Sequence, residues 1–177
     1  MIRLFVALTF PDQVADGLLM LESGVPGARW SSREQLHLTL RFVGDVDEGV
    51  ASAVDDALAA IHAPRLSLEL KGVGEFGDKA PRALWAGVRD GAAVAHLQRK
   101  IETALQRIGL EPEPRKFRPH VTLARLRGTS RGHVLDFLAD HALYASPAFA
   151  VDAFILFSSH LSSHGSLYCA ERVYALD

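Results

Sequence analysis

His37-Leu38-Thr39-Leu40 and, later in the chain, His120-Val121-Thr122-Leu123 are two copies of one pattern, His-x-Thr-x with apolar residues at x. Side chains alternate across a strand, so in each copy the histidine and threonine share one face while the two apolar residues take the other. An imidazole beside a hydroxyl is a donor and acceptor pair suited to a single ligand. Two such pairs facing each other across a cleft supply two proton-transfer groups and two anchors for phosphate or water oxygens. The repeat therefore predicts strands, two related lobes, and a site between them.

Outward from the motifs, residues 2–10 read as a β-branched and aromatic strand, and Pro11-Asp12 opens a short helix carrying Leu18, Leu19 and Leu21. Arg29-Trp30 reads as a short strand, and 36–43 is the first motif strand, ended by Gly44-Asp45. Asp47 caps a helix reaching about residue 61, with Val50, Val54, Ala57, Leu58 and Ile61 as its apolar stripe. The clean alternation over 65–71 reads as one strand, and 82–88 as another. Asp90 caps a second helix, 91–108, with Val94, Leu97, Ile101, Leu105 and Ile108 on one face, and Gly109 stops it. The second motif strand spans 119–126, followed by a short helix near 131–141 and closing strands near 147–158 and 166–175.

Each motif thus lies in a block with strands and an amphipathic helix of its own, and no low-complexity linker separates the blocks. The expected architecture is α+β, a single domain over 1–177 with two lobes packed about a cleft. Its 177 residues suffice to bury a sizeable core without staples. The hydrophobic fraction of 49% and charged fraction of 23% are those of a globular protein rather than a disordered one. A net charge of −2 argues against binding polyanions over the whole surface and confines any nucleic-acid contact to a site. The lone Cys169 allows no internal disulfide and fits a reducing cytoplasm. The first ten residues are too short an apolar run for a signal peptide, and no stretch approaches a membrane span, so a cytoplasmic protein without membrane attachment is expected.

Histidine titrates nearest neutral pH, so a pair can hold one neutral base and one charged acid together. Displacement at phosphorus needs that division: one imidazole takes the proton from the attacking water or hydroxyl, and the imidazolium opposite gives one to the leaving oxygen. Thr39 and Thr122 are placed to donate to the non-bridging oxygens. The scheme needs neither metal nor cofactor, and Asp45 and Asp47 lie past a turn rather than around the motifs.

The ordered motifs resemble the 2H phosphoesterase superfamily, and within it the bacterial and archaeal RNA 2′,3′-cyclic phosphodiesterases, also called 2′-5′ RNA ligases. The likeness runs through Arg3-Leu4-Phe5-Val6-Ala7-Leu8, Leu36-His37-Leu38-Thr39-Leu40-Arg41-Phe42-Val43-Gly44, Arg82-Ala83-Leu84-Trp85-Ala86-Gly87-Val88 and Phe117-Arg118-Pro119-His120-Val121-Thr122-Leu123-Ala124-Arg125, then a Ser-rich loop before Tyr168. The resemblance implies two pseudo-symmetric lobes, each a small antiparallel sheet with helices outside. It implies metal-independent opening of a 2′,3′-cyclic phosphate at an RNA 3′ end to a 2′-phosphomonoester; separately, the protein is expected to be a monomer. By position, His37 would be the proton donor to the leaving 3′ oxygen, His120 the base, and Arg125 a further phosphate ligand. The residues alone support the histidine pair and leave the two roles open.

Arg125 lies five residues after His120, so on a regular strand it would face away, and a bulge or strand end is needed to turn it inward. A solvated surface arginine is the other reading. Arg115, Lys116 and Arg118 form a basic cluster before the second motif, read either as steering an RNA backbone or as a solvated loop. Phe42 and Trp85 offer surfaces for base stacking, but each sits in a strand pattern where core packing is the simpler reading. His160 and His164 fall in a hairpin loop rather than on a helix, which argues against a metal site there. Two alternatives stand beside the RNA phosphodiesterase reading: a phosphodiesterase for small cyclic nucleotides or 2′-5′ oligonucleotides, which keeps the histidine pair, and a non-catalytic module that holds nucleotide or RNA phosphate, against which the presence of both histidines argues.

Overall fold

The first strand, β1 (Ile2–Leu8), is the middle of one half of the fold, and the remaining elements follow in the order the periodicity suggests. They are α1 (Asp12–Leu19), β2 (Ala28–Trp30), a 3₁₀ turn (Arg33–Gln35), β3 (Leu38–Val46), α2 (Glu48–Ala59), β4 (Leu66–Leu68), β5 (Leu70–Phe76) and β6 (Ala83–Val88). Then come α3 (Ala92–Arg107), β7 (His120–Leu126), α4 (Arg131–Asp140), β8 (Phe149–Val151), β9 (Ala153–Ser162) and β10 (Gly165–Ala175). The computed structural model describes all residues from Met1 to Asp177.

All strand pairings are antiparallel, and the main sheet runs β10-β9-β1-β3-β7-β6-β5 with β2 added on β7. Its two halves, β10-β9-β1-β3 and β7-β6-β5 with β2, meet through a single paired position, Leu38 with Val121. The architecture is therefore α+β with two lobes, but the lobes are not successive halves of the chain: the first lobe takes its strands from both ends. Continuing the register one residue each way sets His37 across from Thr122 and Thr39 across from His120.

Two helices follow their sequence signals closely. Asp47 caps α2, its side chain accepting from the Val50 amide at 2.8 Å. In α3, Val94, Leu97, Ile101 and Leu105 are fully buried in the common core, whereas Ile108, expected on the same face, is the C-cap and is exposed. Burial of such a side chain contributes roughly 1.5–3 kcal/mol, so this stripe alone anchors the helix. Asp90 caps one residue earlier than the helix start, bonding the Ala92 amide at 3.0 Å while Gly91 takes the N-cap place. Gly109, at φ +95, ends the last turn. No helix is long and apolar enough to cross a membrane.

Three strand readings differ from expectation, the first being the closing stretch 147–158, which is divided at Asp152 between β8 in a small separate sheet and β9 in the main one. The alternating stretch 65–71 is split at Glu69, with β4 pairing β8 in a separate two-stranded sheet while β5 joins the main one. Alternation fixes which residues are buried, not which neighbour the backbone pairs with, so the split left no trace in the pattern. The first motif strand does not stop at Gly44-Asp45 but continues to Val46. Gly44 adopts φ +90 opposite Leu4 and absorbs a bulge there, so the strand bends instead of ending.

Arg41 fastens β3 to its helix cover. Its side chain is 7% exposed and donates to Glu102 on α3 and to the carbonyls of Phe42 and Glu111. Burial works against charge on Glu102, yet hydrogen bonds from Gln106, the Glu113 amide and Arg41 together hold its carboxyl below the ordinary value. Glu102→Ala strands a buried guanidinium, and chemical denaturation is expected to show a loss of about 3 kcal/mol in unfolding free energy. A loss below about 1 kcal/mol contradicts this anchoring role.

Candidate active site

His37 stands one residue ahead of β3 and His120 is the first residue of β7. The parity expected of the motifs holds: Leu36, Leu38, Leu40, Val121 and Leu123 are buried, while both histidines and both threonines are half-buried on the opposite, cleft-facing side. The same local device orients both rings. His37 Nδ1 donates to the carbonyl of Gln35 at 2.7 Å, and His120 Nδ1 donates to the carbonyl of Arg118 at 2.6 Å. A carbonyl oxygen only accepts, so Nδ1 carries hydrogen in each ring and Nε2 is left to exchange protons with a ligand.

Gln35 owes its position to a capping box. Its side chain accepts from the Ser32 amide at 3.0 Å and donates to the Ser166 carbonyl on β10 at 2.9 Å. The carbonyl that aligns His37 is thus fixed by the turn before β3 and by the neighbouring hairpin. The Ser32-x-x-Gln35 signature was legible in the sequence but carried no hint that a catalytic-type ring hung on it.

The placement of Arg125 follows from a bulge. In the pairing of β6 with β7, Leu84 faces Ala124 and Trp85 faces Thr122, so Leu123 is an extra residue. Ala83 and Trp85 lie on one face of β6, and their partners Arg125 and Thr122 therefore share a face as well. The first motif strand has its own extra residue at the same distance from its histidine. There Val6 faces Arg41 and Ala7 faces Thr39, leaving Leu40 unmatched. By the same argument Phe42, opposite Phe5, emerges on the cleft face with Thr39. The two motifs are thus matched over six residues, and Phe42 holds in one lobe the place Arg125 holds in the other.

Phe42 and Trp85 both depart from the core placement expected of them. Phe42 is 50% exposed because the bulge turns it over. Trp85 lies half-buried across β5, where a β-carbon on Gly74 would come within 2.1 Å of the indole, so only glycine leaves room for it. Around His37 stand Phe5 at 5.0 Å and Tyr168 at 5.2 Å, edge-on, and around His120 stand Phe76 at 4.8 Å and Trp85 at 6.4 Å between ring centroids. Phe5, Tyr168 and Phe76 were not singled out from sequence, since aromatic strand residues look alike until the sheet face is known. A cavity of about 160 Å³ opens beside His37, with Phe5, Phe157, Tyr168 and Arg33 in its wall. No group of three or more His, Cys, Asp and Glu side chains gathers anywhere as a metal cage. Arg115, Lys116 and Arg118 are exposed; Arg115 pairs with Glu113 at 3.1 Å.

Burial lowers the proton affinity of both rings. For His37 the desolvation is joined by the positive charges of His120 and Arg125, while the bond to Gln35 works the other way. His120 is lowered by burial alone, opposed by its bond to Arg118. His120 and Arg125 thus lie within electrostatic reach of His37, and with no ligand the charged form of each ring is opposed. In the free protein both imidazoles are expected to titrate below the ordinary 6.5 by NMR. Removing the neighbouring positive charge in His120→Asn raises the His37 value. A His37 value at or above 6.5, or one indifferent to that substitution, contradicts the arrangement.

The family model of the 2′-5′ RNA ligase superfamily matches residues 11–161. A curated relative from Aeropyrum pernix, named RNA 2′,3′-cyclic phosphodiesterase, is 41% identical over 108 residues, covering 60% of this chain and 61% of its own. The match therefore spans about three fifths of that relative's length. A relative of the same name from Archaeoglobus fulgidus is 27% identical over 176 residues, covering 97% of this chain and 99% of its own. Among solved structures, E. coli LigT in apo form superposes with a TM-score of 0.82 at 24% identity, covering 99% of this chain and 97% of that one.

Proposed function

The chain belongs to the 2′-5′ RNA ligase superfamily, and we propose on that premise that it is an RNA 2′,3′-cyclic phosphodiesterase, opening the cyclic phosphate at an RNA 3′ end to a 2′-phosphomonoester without a metal. The observation that carries this reading is the matched pair of imidazoles, each pinned through Nδ1 to the carbonyl two residues earlier and set on either side of one sheet junction. The names of the curated relatives support the substrate class.

In the proposed step, His120 Nε2 takes a proton from water as its oxygen forms a bond to phosphorus. The bond from phosphorus to the 3′ oxygen breaks, and His37 Nε2–H gives its proton to that oxygen. The Thr39 and Thr122 hydroxyls and the Arg125 guanidinium hold the non-bridging oxygens, where negative charge persists through the transition state. His37 must be charged before it can donate, and the free cleft opposes that charge. The bound phosphate supplies the correction, because an anion beside the ring favours imidazolium. Substrate thus arms its own acid. Proton exchange with solvent afterwards resets the pair.

With a 5′-hydroxyl attacking the cyclic phosphate in place of water, the same displacement breaks the bond from phosphorus to the 3′ oxygen and leaves a 2′-5′ bond. Bulk water favours hydrolysis. Residues 1–177 act in this scheme as one two-lobed unit.

On an RNA ending in a 2′,3′-cyclic phosphate, His37→Ala and His120→Ala are each expected to lower kcat by about 10³-fold with unchanged circular dichroism. EDTA is expected to have no effect, and the product to be the 2′-phosphate. Full activity in either variant, or loss of activity in EDTA, overturns the proposal.

A further inference from the structure

Two arginines stand abreast on the cleft face. Arg29 of β2 is the direct antiparallel partner of Arg125 on β7, and directly opposed residues project to the same side of a sheet. On either side of Arg29, Ala28 and Trp30 point the other way, Trp30 packing on Phe137 of α4 at 5.8 Å. Like charges in this relation destabilise a sheet unless something anionic offsets them. No carboxylate does so: neither Arg29 nor Arg125 enters an ion pair, although Arg3, Arg33, Arg41 and Arg131 each do.

Arg29 is nevertheless held in place. One of its terminal nitrogens donates to the His164 carbonyl at 2.5 Å, in the turn that joins β9 to β10. It passes so close to Gly165 that a β-carbon there would lie 2.2 Å from this nitrogen and 3.5 Å from the side-chain amide of Gln35. Gly165 itself sits at φ +122, in the region that favours glycine. The guanidinium is therefore beside the residue whose carbonyl aligns His37, with one of its five N–H donors used and the others free.

We propose that Arg29 binds the phosphodiester immediately 5′ to the terminal nucleotide, so that the enzyme reads an RNA end in preference to a free cyclic nucleotide. This rests on the hydrolase reading above, in which Arg125 takes the cyclic phosphate. Neighbouring strands lie about 4.8 Å apart, and two long side chains span the further distance between successive phosphates. The bond to the His164 carbonyl commits one end of Arg29 to the turn between β9 and β10, whereas no side-chain hydrogen bond or ion pair fixes Arg125. A mononucleotide has nothing to offer this second guanidinium.

The test compares adenosine 2′,3′-cyclic monophosphate with a diadenosine bearing the same cyclic terminus, using the wild type, Arg29→Gln and Arg29→Lys. Glutamine removes the charge and keeps a shorter polar side chain; lysine keeps the charge and loses the planar fork. For the dinucleotide, Arg29→Gln is expected to raise KM about tenfold and to reduce the slope of log affinity against log salt by about one. Arg29→Lys recovers part of that loss, and mononucleotide kinetics stay within about twofold for both variants. Unchanged dinucleotide kinetics in Arg29→Gln, or equal losses on both substrates, overturns the assignment while leaving the hydrolase reading intact. Turnover of neither substrate by the wild type removes the hydrolase reading and this assignment with it.

Discussion

The pairing of Leu38 with Val121 is the one rung shared by β3 and β7, and the placement of every functional group described here depends on it. Both side chains are completely buried on the helix-covered face, so the residues on either side of them are obliged to face the cleft. Those flanking residues are His37, Thr39, His120 and Thr122. One hydrophobic contact thus draws together two lobes and aims four polar side chains at one space. A wider ladder between the lobes would flatten the junction, and no rung at all would leave the two half-sheets to pack independently.

The second constraint is the pair of bulges, one after Leu40 and one after Leu123. Each inverts the parity of its strand three residues past the histidine, and each therefore brings the fifth residue after the histidine back to the cleft. In one strand that residue is Arg125, a phosphate-type donor; in the other it is Phe42, an apolar surface. The halves of the cleft are alike in backbone and unlike in chemistry, as suits a ligand with a charged group at one end and a ring at the other. Glycine completes the arrangement on the second lobe, where Gly74 leaves room for the Trp85 indole near His120.

Much of this was legible in the chain because it obeys short-range periodicity. The motif strands, the stripe on α3 and the cap at Asp47 all depend on spacing alone, and the need for a bulge before Arg125 followed from counting residues. What was not legible depends on pairing at long range. The division of 65–71 between two sheets, the continuation of β3 through Gly44, and the emergence of Phe42 into the cleft are each set by a partner strand distant in sequence. The same holds for Gln35 and Arg118, which act through backbone carbonyls that any residue type supplies. Arg29 looked like part of a short strand and nothing more, since only the register with β7 puts it next to Arg125.

The cleft's electrostatics tie this geometry to catalysis. Burial lowers the proton affinity of both rings, and in the proposed mechanism a phosphate oxyanion favours the charge that one of them needs, so binding and protonation are linked. In the proposed reaction the two imidazoles act on one phosphate in opposite protonation states. Its most direct test is the pH dependence of kcat/KM for the wild type and for the residual activity of His37→Ala and His120→Ala. A bell is expected for the wild type, centred below 6.5 because both free-enzyme values are depressed. His37→Ala is expected to lose only the limb falling toward high pH, and His120→Ala only the limb rising from low pH. A complete bell surviving in either variant contradicts this division of roles.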